Sequence, residues 1–204
     1  ICTVESFREK LSIVKPKAVV DFGLGAGGTK LENIEKLAAE GAALFKVFMF
    51  KEEKKVEGTE LPHVPDLWAG DEEQLYEICK EVAKTGLLLY AHMDNFRLIN
   101  YLIQQKIAAG ESKPMDYSDP IFDVGEDLDI VRMLVLTKEL GTRLYIVHSG
   151  AKEGMVYVKF AKSRGQDVVV ETCPYRLFFT VDDVERLGPY LSPLAQTKDV
   201  VEAL

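Results

Sequence analysis

The chain of 204 residues is 47% hydrophobic and carries 33 acidic against 25 basic side chains, for a formal net charge of -8. That is enough apolar material to bury a sizeable core, expected as one domain or part of a larger one over 1–204, and it excludes a disordered tail. The acidic balance, with no block of Lys and Arg, argues against a surface that tracks nucleic-acid phosphates.

Cys2, Cys79 and Cys173 are widely spaced and form no C-x-x-C pair. Neither a disulfide framework nor a thiolate zinc site is expected from them, and a reducing, cytoplasmic setting is. No apolar run approaches the roughly 18 residues that span a bilayer, and the first residues lack the basic-then-apolar layout of a signal peptide. The chain begins with Ile1 rather than Met, which fits processing, a cloning boundary or origin in a longer protein.

Short β-rich runs alternate with longer amphipathic ones. "KAVVDFG" at 17–23 precedes a helical pattern over 29–40, and "ALFKVFM" at 43–49 precedes one over 71–84. The second of these helices opens on Asp71, Glu72 and Glu73, acidic residues suited to the positive end of the helix dipole. "GLLLYAH" at 86–92 leads to a helix over 96–109; a further helix over 126–140 leads to "RLYIVHS" at 143–149. A helix over 152–164, the run "DVVVETC" at 167–173 and a shorter helix near 181–187 complete the series.

The strands are apolar on both faces, as in parallel sheets covered by helices, so an α/β fold is expected. Five βα units are visible, against the eight, in about 250 residues, of a closed (β/α)8 barrel. The polar stretches 51–70 and 110–125 are expected as long loops of the kind that form lids or bind ligands.

"GLGAGG" at 23–28 follows the first apolar run, precedes a helix, and matches the G-x-G-x-x-G dinucleotide fingerprint. That fingerprint needs an acidic residue at the end of the next strand to hold a ribose, and "ALFKVFMF" offers Lys46 and Phe48 instead. A glycine-rich βα turn is the expectation, with a dinucleotide-binding protein as a lesser alternative.

Lys46 is the anomaly of the second strand. Period-2 alternation points it the same way as Leu44 and Phe48, where a bare ammonium would be costly. His92 closes "LLLYAH" and His148 closes "LYIVH", so three residues able to bind metal fall at comparable places on successive units. In parallel α/β folds the carboxyl ends of strands share one face, where active sites are built. Each residue also has an ordinary structural role open to it, a hydrogen-bonded strand-end histidine or an edge lysine.

A lysine amine that has reacted with CO2 is a carbamate, whose two oxygens can bridge two divalent ions. Burial favours the neutral amine this reaction needs. Imidazoles suit zinc and neighbouring divalent metals.

With these residues in place, the chain resembles the cyclic amidohydrolases of the dihydroorotase, hydantoinase (dihydropyrimidinase) and allantoinase group, within the amidohydrolase superfamily. The matching stretches are "EGAALFKVFM" for the carboxylated-lysine strand, "YAHMDN" for a His-Ala-Glu-Asn strand end and "LYIVHSG" for Ile-Val-His-Val-Ser. "GEDLDIVRMLVLTKELG", with Glu126 and Arg132 at the family's spacing, is similar to the helix before that histidine. "GQDVVVETCPYRLFFT" and "LSPLAQTKDVVEAL" resemble the Glu-Thr-Cys-Pro-His-Tyr-Leu and Pro-Pro-Leu-Arg segments.

The resemblance implies a TIM-type barrel of which this chain holds strands three to seven, and a metal-dependent hydrolase that opens a dihydropyrimidine, hydantoin, dihydroorotate or allantoin-like ring through a metal-bound hydroxide. It implies two divalent ions, zinc foremost, with Lys46 as the bridging carbamate and His92 and His148 on the second metal. The family's His-x-His strand would lie before Ile1 and its last-strand aspartate beyond Leu204, so the chain is expected to be a central portion, inactive if isolated. Expected partners are a small cyclic amide or ureide and further copies of the chain.

Departures from the family bear on the substrate. Lys51 stands where hydantoinases carry a ring-contacting tyrosine, and Met93 and Asp94 stand for Ala and Glu. Tyr175 and Arg176 stand for His-Tyr, and Ala195 and Gln196 fall in the arginine region. His63, in the expected lid with Trp68, and Cys173 are further candidates for substrate contact. The shifted motifs also fit a non-catalytic scaffold or assembly protein.

Overall fold

The structure is a computed structural model that describes residues 1–49, 67–111, 120–183 and 186. Five strands form one sheet in sequential order, β1-β2-β3-β4-β5, with helices between successive strands. By its contacts the chain divides into two compact units, Ile1–His92 with Val135–Tyr145, and Met93–Leu134 with Ile146–Leu204.

The first unit opens with a helix that the strand-and-helix rhythm does not reveal, α1 (Val4–Val14). Its start is a capping box: Ser6 N donates to Thr3 Oγ1 at 3.3 Å, and Thr3 N donates to Ser6 Oγ at 3.2 Å. Two of the helix's otherwise orphaned donors are thereby met. Phe7 is its buried anchor.

The first strand corrects the expectation for 17–23. Those residues form no strand, and Val19 and Val20 are 95% and 74% exposed. Strand β1 is instead Gly25–Gly27, inside the glycine tract, paired in parallel with β2 (Leu44–Phe48). Close packing explains the glycines. A Cβ at Gly25 would come within 2.8 Å of Leu44 Cδ1, and one at Gly27 within 2.4 Å of both Cys2 Sγ and Leu67 Cδ2. Gly25 and Gly27 therefore serve strand packing, and neither the expected turn nor the phosphate loop of a dinucleotide site is formed by them.

Helix α2 (Leu31–Ala39) follows, with Ile34 and Leu37 fully buried, and packs on α3 (Glu72–Thr85), where Leu75, Ile78, Cys79 and Val82 are fully buried. Helix α3 ends at Gly86, whose φ of 68° is the left-handed cap that favours glycine. Strand β3 (Leu88–His92) then pairs in parallel with β2, placing Lys46 opposite Tyr90 and Phe48 opposite His92. Alternation sorts the faces: Phe45, Val47, Leu89 and Ala91 are fully buried, whereas Leu44, Lys46, Phe48, Tyr90 and His92 are half-buried. Thr142 Oγ1 donates to Cys79 O at 2.9 Å and ties the turn before β4 (Arg143–Ile146) to α3.

The second unit holds α4 (Phe96–Ala108), capped by Asn95, whose side chain accepts from Leu98 N at 3.2 Å. It also holds the larger part of α5 (Pro120–Leu140), which begins six residues before the expected 126, together with α6 (Lys152–Ser163) and β5 (Val168–Val170). Gly154 lets α6 approach α5, since a Cβ there would meet Ile130 Cδ1 at 2.5 Å. The helix expected near 181–187 is a short 3-10 turn over Val181–Asp183, and the rest of that stretch, Arg186 apart, lies outside the described residues. No helix among the described residues is long and apolar enough to cross a membrane.

Candidate functional site

On the half-buried face of β2 and β3 the lysine finds its environment. Lys46 Nζ lies 4.5 Å from the Phe48 ring centroid and 4.8 Å from that of Tyr90. Aromatic faces attract a cation and spare it a bare apolar contact. Phe48 lies in turn 5.0 Å from the His92 ring, and Tyr90 stacks on Tyr145 at 4.6 Å. Lys46 and His92 thus share one face of adjacent strands, near their carboxyl ends and linked through the ring of Phe48. Met49 N donates to His92 O at 3.0 Å and Ala69 N to Phe48 O at 2.9 Å, so backbone bonds continue past both strand ends.

His148 belongs to the second unit. Strand β4 ends at Ile146, so the histidine stands two residues beyond it rather than closing it. Its φ of 38° makes it the one non-glycine residue with positive φ among those described. Such a conformation costs on the order of 1–3 kcal/mol and persists only where its surroundings over-determine it. Those surroundings are on either side. Ser149 N donates to Glu171 O at 2.7 Å, and Glu171 N to Ile146 O at 2.8 Å, lacing the turn to the end of β5. Glu126 on α5 accepts from Ser149 Oγ and from Gly150 N, the latter at 3.2 and 3.3 Å to its two oxygens.

Burial pushes the Glu126 carboxyl up to about 7, against the opposing pull of the Ser149 hydroxyl and the Arg176 guanidinium. One turn along, Asp129 is fully buried and accepts from Arg132 Nη1 at 2.6 Å and Asn95 Nδ2 at 3.3 Å. Desolvation raises its carboxyl to about 6, with Arg132 and Asn95 acting in the opposite direction. Asn95 therefore caps α4 and braces α5 with one side chain.

Cys173 is half-buried just before the 3-10 turn Pro174–Leu177, and its thiol is free. Cys79, by contrast, is held as a thiol: burial pushes it up to about 12. Lys51 and His63 lie outside the described residues. Motif spacing singles out Lys46, His92 and His148, but it passes over Tyr90, Tyr145, Asp129 and Ser149. Tyr90 is recoverable from alternation with His92, whereas the Glu126 to Ser149 pairing spans 23 residues and leaves no local trace. Among the described residues no group of three or more His, Cys, Asp or Glu side chains is gathered as a metal cluster.

An allantoinase of Rubrobacter xylanophilus is 35% identical over 204 residues, covering 98% of this chain and 43% of the relative. The chain belongs to the cyclic amidohydrolases of the allantoinase and hydantoinase group. An L-hydantoinase of Paenarthrobacter aurescens is also 35% identical, over 93% of this chain and 40% of its own length. The solved L-hydantoinase (dihydropyrimidinase) from Arthrobacter aurescens superposes with a TM-score of 0.85 at 31% identity, covering 99% of this chain and 44% of that one. No protein-family model matches the chain.

This cyclic amidohydrolase chain therefore spans less than half the length of the relatives it matches. Its sequential five-stranded sheet is part of a TIM-type barrel, as the family resemblance implies.

Proposed function

We propose that the chain supplies the central part of a hydrolase that opens a five-membered cyclic amide ring of the hydantoin type, the ring common to hydantoin and allantoin. The observation that carries this reading is the half-buried face that Lys46 and His92 share on adjacent strands, with two aromatic rings beside the lysine. The relatives' names, allantoinase and L-hydantoinase, support the ring class. Water would be added across a ring C–N bond, leaving a carboxylate and a freed nitrogen.

The donor set suits a divalent metal. Imidazoles are borderline ligands that favour zinc, and desolvation favours the neutral amine that carbamate formation needs. That conversion joins the neutral Nζ to the carbon of CO2 and releases one proton to solvent. In this reading Lys46, as the carbamate, and His92 and His148 would supply ligands to two divalent ions, which would lend Lewis-acid activation to water and to the amide carbonyl. Phe48 and Tyr90 exclude water from the lysine's flank. Lys51, His63 and Cys173 are proposed to contact the substrate. The aspartate that would move the proton is not among these residues.

The same reading puts the protein in the cytoplasm, consistent with three cysteines outside any disulfide, and as a homo-oligomer with no nucleic-acid or membrane partner; Val156, Tyr157 and Phe160 on α6 are exposed. The test is ring opening of hydantoin and allantoin by the intact protein, loaded with zinc and bicarbonate, against Lys46→Ala. Turnover abolished in the variant is the expected result. Equal turnover in both would remove Lys46 from the site, and turnover of neither ring by the intact protein would remove the substrate class.

A further inference from the structure

We propose that Glu126 is a positioning residue for His148: by accepting from Ser149 Oγ and Gly150 N it clamps the turn that keeps the histidine in its left-handed conformation. The inference rests on His148 being the functional group of this turn, and deepens that reading by naming what aims it.

Three observations bear on it. First, the clamp reaches the two residues directly after His148, so it acts on the backbone that sets where the imidazole points. Secondly, Glu126 and Ser149 are themselves buried, at 7% and 0% exposure, so solvent does not compete for the bond. Thirdly, Ser149 N donates to Glu171 O and Glu171 N to Ile146 O, so backbone bonds to Glu171 and side-chain bonds to Glu126 hold the same turn. A carboxylate has two acceptor oxygens, and here both are used: one by the Ser149 hydroxyl and the Gly150 amide together, the other by the Gly150 amide. A second ring of interactions that orients a metal-binding imidazole is a general device, and its removal weakens metal binding by about tenfold or more.

The chain has three histidines, which makes the test direct. Imidazole nitrogen–proton correlation spectra of histidine-labelled protein, assigned with His63→Ala, His92→Ala and His148→Ala, would be recorded for Glu126→Ala, Glu126→Gln and Ser149→Ala. Zinc affinity would be measured on the same samples by competition with a chelating dye.

The expected result is a displaced His148 signal with His92 unmoved, a loss of zinc affinity of about tenfold in Glu126→Ala, a smaller loss in Ser149→Ala, and partial rescue by Glu126→Gln, which keeps one acceptor oxygen. A His148 signal unmoved in all three variants, or all three histidine signals displaced alike, would overturn the proposal. Should Glu126→Ala fail to fold, the Gln and Ser149 variants carry the same comparison. If His148→Ala leaves zinc affinity unchanged, the metal reading of His148 fails while the displaced signal still decides the positioning role.

Discussion

The two units solve the problem of a polar group in an apolar setting by opposite means. In the first, Lys46 lies over the rings of Phe48 and Tyr90, residues next to it on its own strand and directly opposite on its neighbour. In the second, Glu126 and Asp129 are buried against hydrogen-bond donors: Ser149, Gly150 and Asn95 from distant parts of the chain, and Arg132 one turn along the same helix. Aromatic contact leaves Lys46 half-buried beside neighbours on one face of two adjacent strands. A buried hydrogen-bonded network fixes geometry, as a strained turn requires.

The sharpest way to break this contrast is to delete the network's most buried member. Asp129→Ala removes the acceptor of both Arg132 and Asn95 and is expected to cost about 3 kcal/mol, read from urea unfolding followed by a reporter in the second unit. The pH dependence sharpens it. Because burial holds the Asp129 carboxyl at about 6, above its ordinary value of 3.8, the folded state binds this proton more tightly than the unfolded state. Its contribution is therefore fully present below pH 3.8 and is lost as pH rises through about 6. Asp129→Asn is expected to flatten that part of the stability profile, and an unaltered profile would contradict the assignment.

A smaller effect is expected at the glycine strand. Gly27→Ala drives a Cβ toward Cys2 Sγ and Leu67 Cδ2 and should cost about 1–3 kcal/mol in thermal or urea unfolding. Since the glycines serve packing, the variant should show no change in dinucleotide affinity, which is expected to be absent in both proteins. The smallest effect belongs to Tyr90→Leu, which removes one of the two rings beside Lys46 and should cost roughly 0.5–1 kcal/mol. A cost as large as that of Asp129→Ala would erase the distinction between the two regions.

Which features were legible in the sequence follows from the same contrast. The βα rhythm is local, written in apolar periodicity, and α2, α3, β2 and β3 lie where that periodicity places them. Lys46 and His92 are legible because strand alternation is also local. The first strand misleads, because "KAVVDFG" has better strand composition than "GAG", and only contacts to Leu44, Cys2 and Leu67 show why glycine is needed there. Helix α1 depends on a Thr-Ser capping box that spacing alone does not distinguish from an ordinary polar turn. Glu126 and Arg132 stand out through the family resemblance, but the pairings of Glu126 with Ser149 and of Asp129 with Asn95 are illegible for a different reason: the partners lie 23 and 34 residues away, and an acidic residue on a helix reads by default as solvent-facing.

The central claim, that Lys46 is the group converted to a metal-bridging carbamate, is tested most directly by isotope. Protein prepared with 13C-bicarbonate and zinc would be examined by 13C NMR and by elemental analysis, beside Lys46→Ala. A carbamate carbon signal accompanied by bound zinc, both lost in the variant, is the result the account requires. Zinc bound equally by both proteins with no carbamate signal in either would contradict it and leave Lys46 as a cation resting on two aromatic rings.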